Sequence, residues 1–190
     1  MRFSNPRDER RLVKALKAGK PAAQRLLYEQ MAGKMMAVCQ RYARNREEAE
    51  DILQEGFIRV FRKIGTYKGE GSFEGWVRRV ITNIAIRHYQ KNSRIHVVVG
   101  LEEIEHEYGA SLLDQEFATA DLLSMVQRLP DGYRMVFNLF AIEGYSHQEI
   151  AQKLDISEGT SKSQLARARK ALRLMIQAEQ DTYQSEISNG

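Results

Sequence analysis

Residues 146–173 read SHQEIAQKLDISEGTSKSQLARARKALR, and the fold turns on this stretch. Ser146 followed by Glu149 is a capping box: the serine hydroxyl can accept from the amide three residues on while the glutamate reaches back to the serine amide. Ile150, Ala151 and Leu154 then recur at helical spacing, which predicts a short helix over 148–154. After Asp155 and Ile156, Ser157 can cap a longer helix running to about residue 176. Ile150, Ala151, Leu154, Ile156, Leu165, Ala168 and Leu172 would hold the two helices together. A short capped helix, a tight turn and a longer capped helix is the pattern of a helix-turn-helix. The longer helix carries Lys162, Arg167, Arg169, Lys170 and Arg173 against one acid, Glu158. Its first turns add Ser157, Thr160, Ser161, Ser163 and Gln164, small hydrogen-bonding residues suited to a major groove. Charge alone fits a solvated helix equally well, because cations favour helix C-termini. The capped helix at the right distance upstream favours DNA.

Working outward, residues 119–144 supply two more helices. Leu122, Leu123, Val126 and Leu129 form one, stopped at Pro130, Asp131 and Gly132; Val136, Phe137, Leu139 and Phe140 form the next, ended by Gly144. The residues from Glu179 to Gly190 read as a polar, frayed tail. Upstream, residues 95–127 contain no lysine or arginine, yet hold Glu102, Glu103, Glu105, Glu107, Asp114, Glu116 and Asp121. We read 95–118 as a flexible acidic linker, since Val97, Val98 and Val99 could form a short strand but have no partner strand nearby.

Residues 1–94 form a second helical block. Leu12, Val13 and Leu16 make a short amphipathic turn that ends at Gly19, Lys20 and Pro21. Over 22–43 the apolar set is Leu26, Leu27, Met31, Met35, Val38, Cys39 and Tyr42; over 47–64 it is Ala49, Ile52, Leu53, Phe57, Val60, Phe61 and Ile64. A stretch from Gly65 to Gly71, too rich in glycine to be helical, follows. The next helix starts near Ser72 with Trp76, Val77, Val80, Ile81, Ile84 and His88 on one face, and Arg78, Arg79, Asn83, Arg87 and Lys91 on the other. The whole is therefore all-α: two small helical domains, 1–94 and 119–178, joined by the acidic linker 95–118 and ending in the tail 179–190.

Composition narrows the function. Of the 190 residues, 43% are hydrophobic and 28% charged, with only three prolines, as a folded helical protein requires. The net charge of +4 leans weakly towards an anionic partner. Cys39 is the one cysteine, so neither an internal disulfide nor a two-cysteine metal site is available, and its apolar neighbours predict a buried thiol. The charged N-terminus lacks a signal-peptide core, and no run reaches the ~20 apolar residues that span a bilayer. These features predict a cytoplasmic protein without membrane insertion. Four scattered histidines (His88, His96, His106, His147) and the absence of HExxH, P-loop and nucleophile-elbow motifs argue against an enzyme. No metal or cofactor is expected; the acids near His106 read as a solvated linker.

Several segments together resemble a known family. Residues 157–173 are similar to the promoter-reading helix of sigma factors of the extracytoplasmic-function (ECF) group, within the sigma-70 family of bacterial RNA polymerase. LPDGYRMVFNLF at 129–140 and EGYSHQEIA at 143–151 resemble the start of the same domain, region 4. AEDILQEGFIRVF at 49–61 resembles the region 2 helix that docks on polymerase, and FEGWVRRVITNIA at 73–85 the adjoining helix that engages the −10 element. Ser161 stands where the family usually has valine and Gln164 where arginine is common, so the promoter preference does not transfer. The resemblance implies three partners: core RNA polymerase, promoter DNA (duplex at −35, melted at −10) and an anti-sigma factor. It implies polymerase binding by Asp51, Gln54 and Glu55. The −10 strand would be bound by Tyr67, Lys68, Ser72, Trp76, Arg78, Arg79, Asn83, Arg87 and Lys91, with Tyr67 offering an aromatic face to an extruded base. The −35 element would be read by Ser157, Thr160, Lys162, Ser163, Gln164, Arg167 and Arg169. It also implies a linker lying near the RNA-exit path of polymerase. The competing reading is a stand-alone helix-turn-helix regulator with a ligand-sensing N-terminal domain. Such a regulator would bind its duplex site without polymerase.

Overall fold

The computed structural model describes residues 6–93 and 119–188, and these residues are helical without any strand. The expected acidic linker, including the valine triplet and the acids around His106, lies outside them. The chain separates into two compact units, Met1–His88 and Tyr89–Gly190, each considered by itself.

In the first unit, α1 (Pro6–Lys17) is a twelve-residue helix rather than the short turn expected. Asp8 and Glu9 in its first turn and Lys14 and Lys17 in its last complement the helix dipole, which lengthens a segment with only Leu12 and Leu16 fully inside. Gly19, at φ +69°, turns the chain so that Lys20 N–H reaches Ala15 O at 3.1 Å. Pro21 then opens α2 (Pro21–Tyr42), which buries Leu27, Met31, Met35, Val38, Cys39 and Tyr42. Burial pushes the Cys39 thiol up to about 12, so it is inert core. Asn45 caps α3 (Arg46–Lys63) by accepting from Glu48 N–H at 2.9 Å, and the Glu48 carboxylate accepts from Arg44 N–H at 2.7 Å. One 3-10 turn, Ile64–Thr66, precedes the loop to α4 (Phe73–Ser93). Helices α3 and α4 touch at Gly56, where a β-carbon would lie 2.8 Å from Ile81 Cγ1. Only glycine admits that approach.

In the second unit, α5 (Thr119–Arg128) and α8 (Glu158–Ser188) share a core of Met125, Val126, Leu129, Ala168 and Leu172. Between them run α6 (Asp131–Phe137), a π turn at Asn138–Ile142 and α7 (His147–Leu154). Arg134 is buried and ties the α5–α6 corner. Its guanidinium donates to Leu129 O (2.9 Å), Gln127 O (3.1 Å) and the Asp131 carboxylate (2.7 Å). The expected frayed tail is corrected: α8 continues to Ser188. No glycine or proline interrupts 160–189, and Gln177 donates to the Asp181 carboxylate one turn on, at 2.8 Å.

Candidate nucleic-acid interfaces

The helix-turn-helix is built by its caps. Ser146 accepts from Glu149 N–H at 3.2 Å, and Glu149 accepts from Ser146 N–H at 2.8 Å, completing the capping box. Asp155 ends α7 in the left-handed region at φ 58°, bringing Ile156 N–H to Ala151 O at 3.1 Å. Ser157 Oγ then accepts from Thr160 N–H at 2.9 Å and bonds the Thr160 hydroxyl at 2.8 Å. Thus Ser157 and Thr160 first of all shape the turn.

On α8 the side chains divide into two sets. Lys162, Arg169, Lys170 and Arg173 are exposed, while Thr160, Ser163 and Arg167 are half-buried. Ser163 Oγ donates to Thr160 O at 3.0 Å. Lys162 lies 4.0 Å from Glu158, a loose surface pair that leaves its ammonium available to phosphate. Two expected groove residues face inward instead. Ser161 is fully buried, its hydroxyl 2.9 Å from His147 Nδ1, because positions 161, 165, 168 and 172 form the stripe packed in the core. Gln164 lies against Gly132, where an added β-carbon would meet its amide at 3.1 Å, so its amide packs on α6.

His147 completes a lock between the two helices. Its ring stacks on Phe140 at 4.6 Å between centroids, and the Arg169 guanidinium lies over the other aromatic at 5.8 Å. Burial, then the cations Lys162 and Arg169, hold His147 below its usual value despite Glu158, so the imidazole is neutral at pH 7.

In the first unit, Asp51, Gln54 and Glu55 lie exposed along α3, and Ile58, 50% exposed, continues that face by one turn. Glu55 is held: its carboxylate meets His88 Nε2 of α4 at 2.8 Å. Lys68, Ser72, Arg79, Asn83, Arg87 and Lys91 are exposed, and Trp76 and Arg78 half-exposed. Trp76, Arg79, Asn83 and Arg87 follow each other at three- or four-residue steps, so amide and cations share one stripe of α4. Ser72 caps that helix, its hydroxyl accepting from Gly75 N–H at 3.3 Å. Lys34 of α2 pairs with Glu74 at 2.7 Å and steadies the same helix start.

The aromatic face expected at Tyr67 is absent. The residue is 5% exposed, with its ring 5.1 Å from Phe73 and 5.5 Å from Trp76. An apolar aromatic two residues behind Gly69 gains more from joining Phe73 and Trp76 than from standing in water. Lys17 also lies where sequence reading placed no function: its ammonium donates to Tyr67 O at 2.7 Å. Among the described residues no cluster of His, Cys, Asp and Glu could hold a metal ion, and no helix is long and apolar enough to cross a membrane.

Two family matches cover these same surfaces. Sigma-70 region 2 matches residues 27–95, and Sigma-70, region 4 matches 119–172. The ECF RNA polymerase sigma factor SigE of Mycolicibacterium smegmatis is 33% identical over 152 residues, 77% of this chain and 59% of its own. This chain thus spans less than two thirds of that relative. The RNA polymerase sigma-H factor of Pseudomonas aeruginosa is 28% identical over 184 residues, 90% of this chain and 94% of its own. Among solved structures, the Bartonella quintana sigma factor RpoE, in complex with the anti-sigma factor NepR, is 19% identical with a TM-score of 0.48, covering 80% of this chain and 96% of that one. With regions 2 and 4 both matched in order, and ECF sigma factors aligned across them, the chain belongs to the sigma-70 family of RNA polymerase sigma factors, in its extracytoplasmic-function group.

Proposed function

We propose that this chain binds core RNA polymerase in the cytoplasm, reads the −35 and −10 promoter elements with separate domains, and helps open the DNA. It acts as an initiation factor rather than an enzyme, with polymerase, promoter DNA and an anti-sigma factor as partners. Residues 1–94 serve polymerase docking and −10 recognition, 119–178 serve −35 recognition, and 95–118 connect them. The observation that carries the reading is the pairing, in one chain, of a capped helix-turn-helix with a cationic helix stripe beside a glycine-rich loop.

The roles we propose for single residues are supported by which faces of the helices are exposed. Asp51, Gln54 and Glu55 dock on polymerase, an exposed polar face opposite the packed Ile52 and Phe57. At −35, Lys162, Ser163, Arg167 and Arg169 meet bases and phosphates, and Ser157 and Thr160 hold the helix start towards them. Gln164 keeps at most a marginal part there, since its amide packs on α6. At −10, Asn83 can both donate to and accept from an extruded base, and the half-exposed Trp76 supplies aromatic surface. Arg78, Arg79, Arg87, Lys91 and Lys68 hold the backbone. Base stacking contributes about 1–3 kcal/mol, comparable to the few kcal/mol that unstacking costs, so capture can stabilise strand opening without ATP.

The test is transcription by purified core enzyme and the full chain on a promoter library. Promoter-specific RNA should require the chain, and the double substitution Asp51→Ala, Gln54→Ala should weaken its association with core. Tight binding of the chain to a duplex operator without polymerase, and no promoter-specific RNA, would favour the ligand-sensing regulator instead.

A further inference from the structure

Every polar group of Tyr67 is hydrogen-bonded, to its own loop, to the 3-10 turn before it and to α1. Its N–H donates to Ile64 O at 3.1 Å, its carbonyl accepts from Lys17 Nζ at 2.7 Å, and its hydroxyl donates to Gly71 O at 3.1 Å. The last bond closes residues 67–71 into a ring whose free rim is Lys68, Gly69 and Glu70, all exposed. Gly69 and Gly71 sit at φ +83° and +72°, conformations that a side chain would strain, so this closed shape is built into the sequence. Burial, and then Glu9, raise the Tyr67 phenol above its usual value, which keeps it a proton donor at any working pH. The ring itself is wedged against Phe73 and Trp76, the first turn of α4, so the loop is anchored to the helix that bears Asn83.

We propose that Tyr67 and Lys17 form a latch that presets the −10 loop: the tyrosine positions the loop from beneath instead of stacking on the base, and α1 holds it shut. The proposal rests on the reading of this loop and Asn83 as the −10 site. A loop ordered before the strand arrives spares binding the conformational entropy of ordering it. Its contribution therefore falls on strand capture and not on the −35 contacts.

Tyr67→Phe separates the two roles, because it keeps the ring and deletes only the hydroxyl. The measurement uses holoenzyme assembled from core polymerase and the full chain. It reads the Kd for a fluorescent single-stranded oligonucleotide carrying the non-template −10 sequence, alongside retention of a −35 duplex and the thermal midpoint of the chain. Tyr67→Phe and Lys17→Met should each weaken strand capture about three- to tenfold, the scale of one hydrogen bond. Lys17→Arg should restore capture, −35 retention should stay at the parent value, and the thermal midpoint should fall by no more than the few degrees that one hydrogen bond accounts for. If Tyr67→Phe captures the strand normally while Asn83→Ala does not, the latch is overturned and the −10 reading stands. If Asn83→Ala is also normal, the −10 reading fails and takes the latch with it. If the losses track a lowered midpoint and Lys17→Arg gives no rescue, Lys17 and Tyr67 are structural only, and the latch is again overturned.

Discussion

Gly56→Ala probes the close approach of α3 to Ile81 of α4. The new methyl would sit 2.8 Å from Ile81 Cγ1 and 3.5 Å from both Ile81 Cβ and Cγ2, with Ile81 fully buried. Carbon atoms pack best at about 3.5–4.0 Å, so roughly 0.7 Å of overlap must be relieved. Ile81 cannot swing away cheaply, because a β-branched side chain in a helix is held to one χ1 well and turning it replaces one γ-carbon by the other. Overpacking of this kind costs typically about 1–3 kcal/mol. Alanine regains about 1 kcal/mol of helix propensity over glycine. An overlap of this size against a side chain that cannot turn falls in the upper part of that range, about 2–3 kcal/mol, so the steric term wins and we expect a net loss of about 1–2 kcal/mol in region 2. Trp76 is the one tryptophan and lies on α4, so its fluorescence in urea reports this unit specifically. Ile81→Ala alone should cost about 2–5 kcal/mol. The double variant removes the obstruction along with the side chain, and should be less damaged than the sum by about 1–2 kcal/mol. A Gly56→Ala protein as stable as the parent, or a strictly additive double variant, would refute the reasoning.

Two further outcomes test the second unit. Arg134→Met should destabilise region 4 by about 2–4 kcal/mol, because three charge-assisted hydrogen bonds at the α5–α6 corner vanish together; an unchanged urea midpoint for helical circular dichroism would contradict it. His147, held below its usual value in the fold, binds protons more readily when unfolded. Region 4 should therefore lose stability as pH falls below about 6.5 and level off once the folded imidazole is protonated, and His147→Asn should flatten that slope. An identical pH–stability profile in the Asn variant would show that other groups set it.

Much of the helix plan was legible because apolar spacing and caps agree. The periods over 22–43 and 47–64 land within a residue of α2 and α3, and the Ser146–Glu149 box forms as its residue types demand. Side-chain direction in loops was not legible. Nothing local in the glycine-rich loop says that Tyr67 turns under towards Phe73, since the partner that rewards burial is six residues away across a turn. The length of α8 is obscured for another reason: the polarity over 179–188 suggests fraying, whereas the absence of any glycine or proline there is the stronger signal. The π turn at Asn138–Ile142 had no signal, because its apolar positions fit an α-helical period as well; what marks it is Glu143 N–H bonding Asn138 O, five residues back.

Ser161 shows how a departure from a family pattern can concern packing rather than recognition. Its position falls i, i+4, i+7 and i+11 with Leu165, Ala168 and Leu172, the buried stripe of α8, so a groove-facing role was already excluded by helical period. Valine at such a site asks nothing of its neighbours, whereas a buried serine needs a partner. His147 is that partner, its Nδ1 2.9 Å from the serine hydroxyl, and burial with the nearby cations Lys162 and Arg169 holds the imidazole below its usual value. Serine and histidine therefore work as a unit joining α7 to α8, with Phe140 stacked behind the ring and Arg169 laid over Phe140. Arg169, exposed on α8, links this joint to the surface proposed to face DNA. On the −35 role proposed for α8, a change at position 161 would act through the set of that guanidinium, and Lys162, Ser163 and Arg167, which lie outside the joint, would carry promoter preference directly.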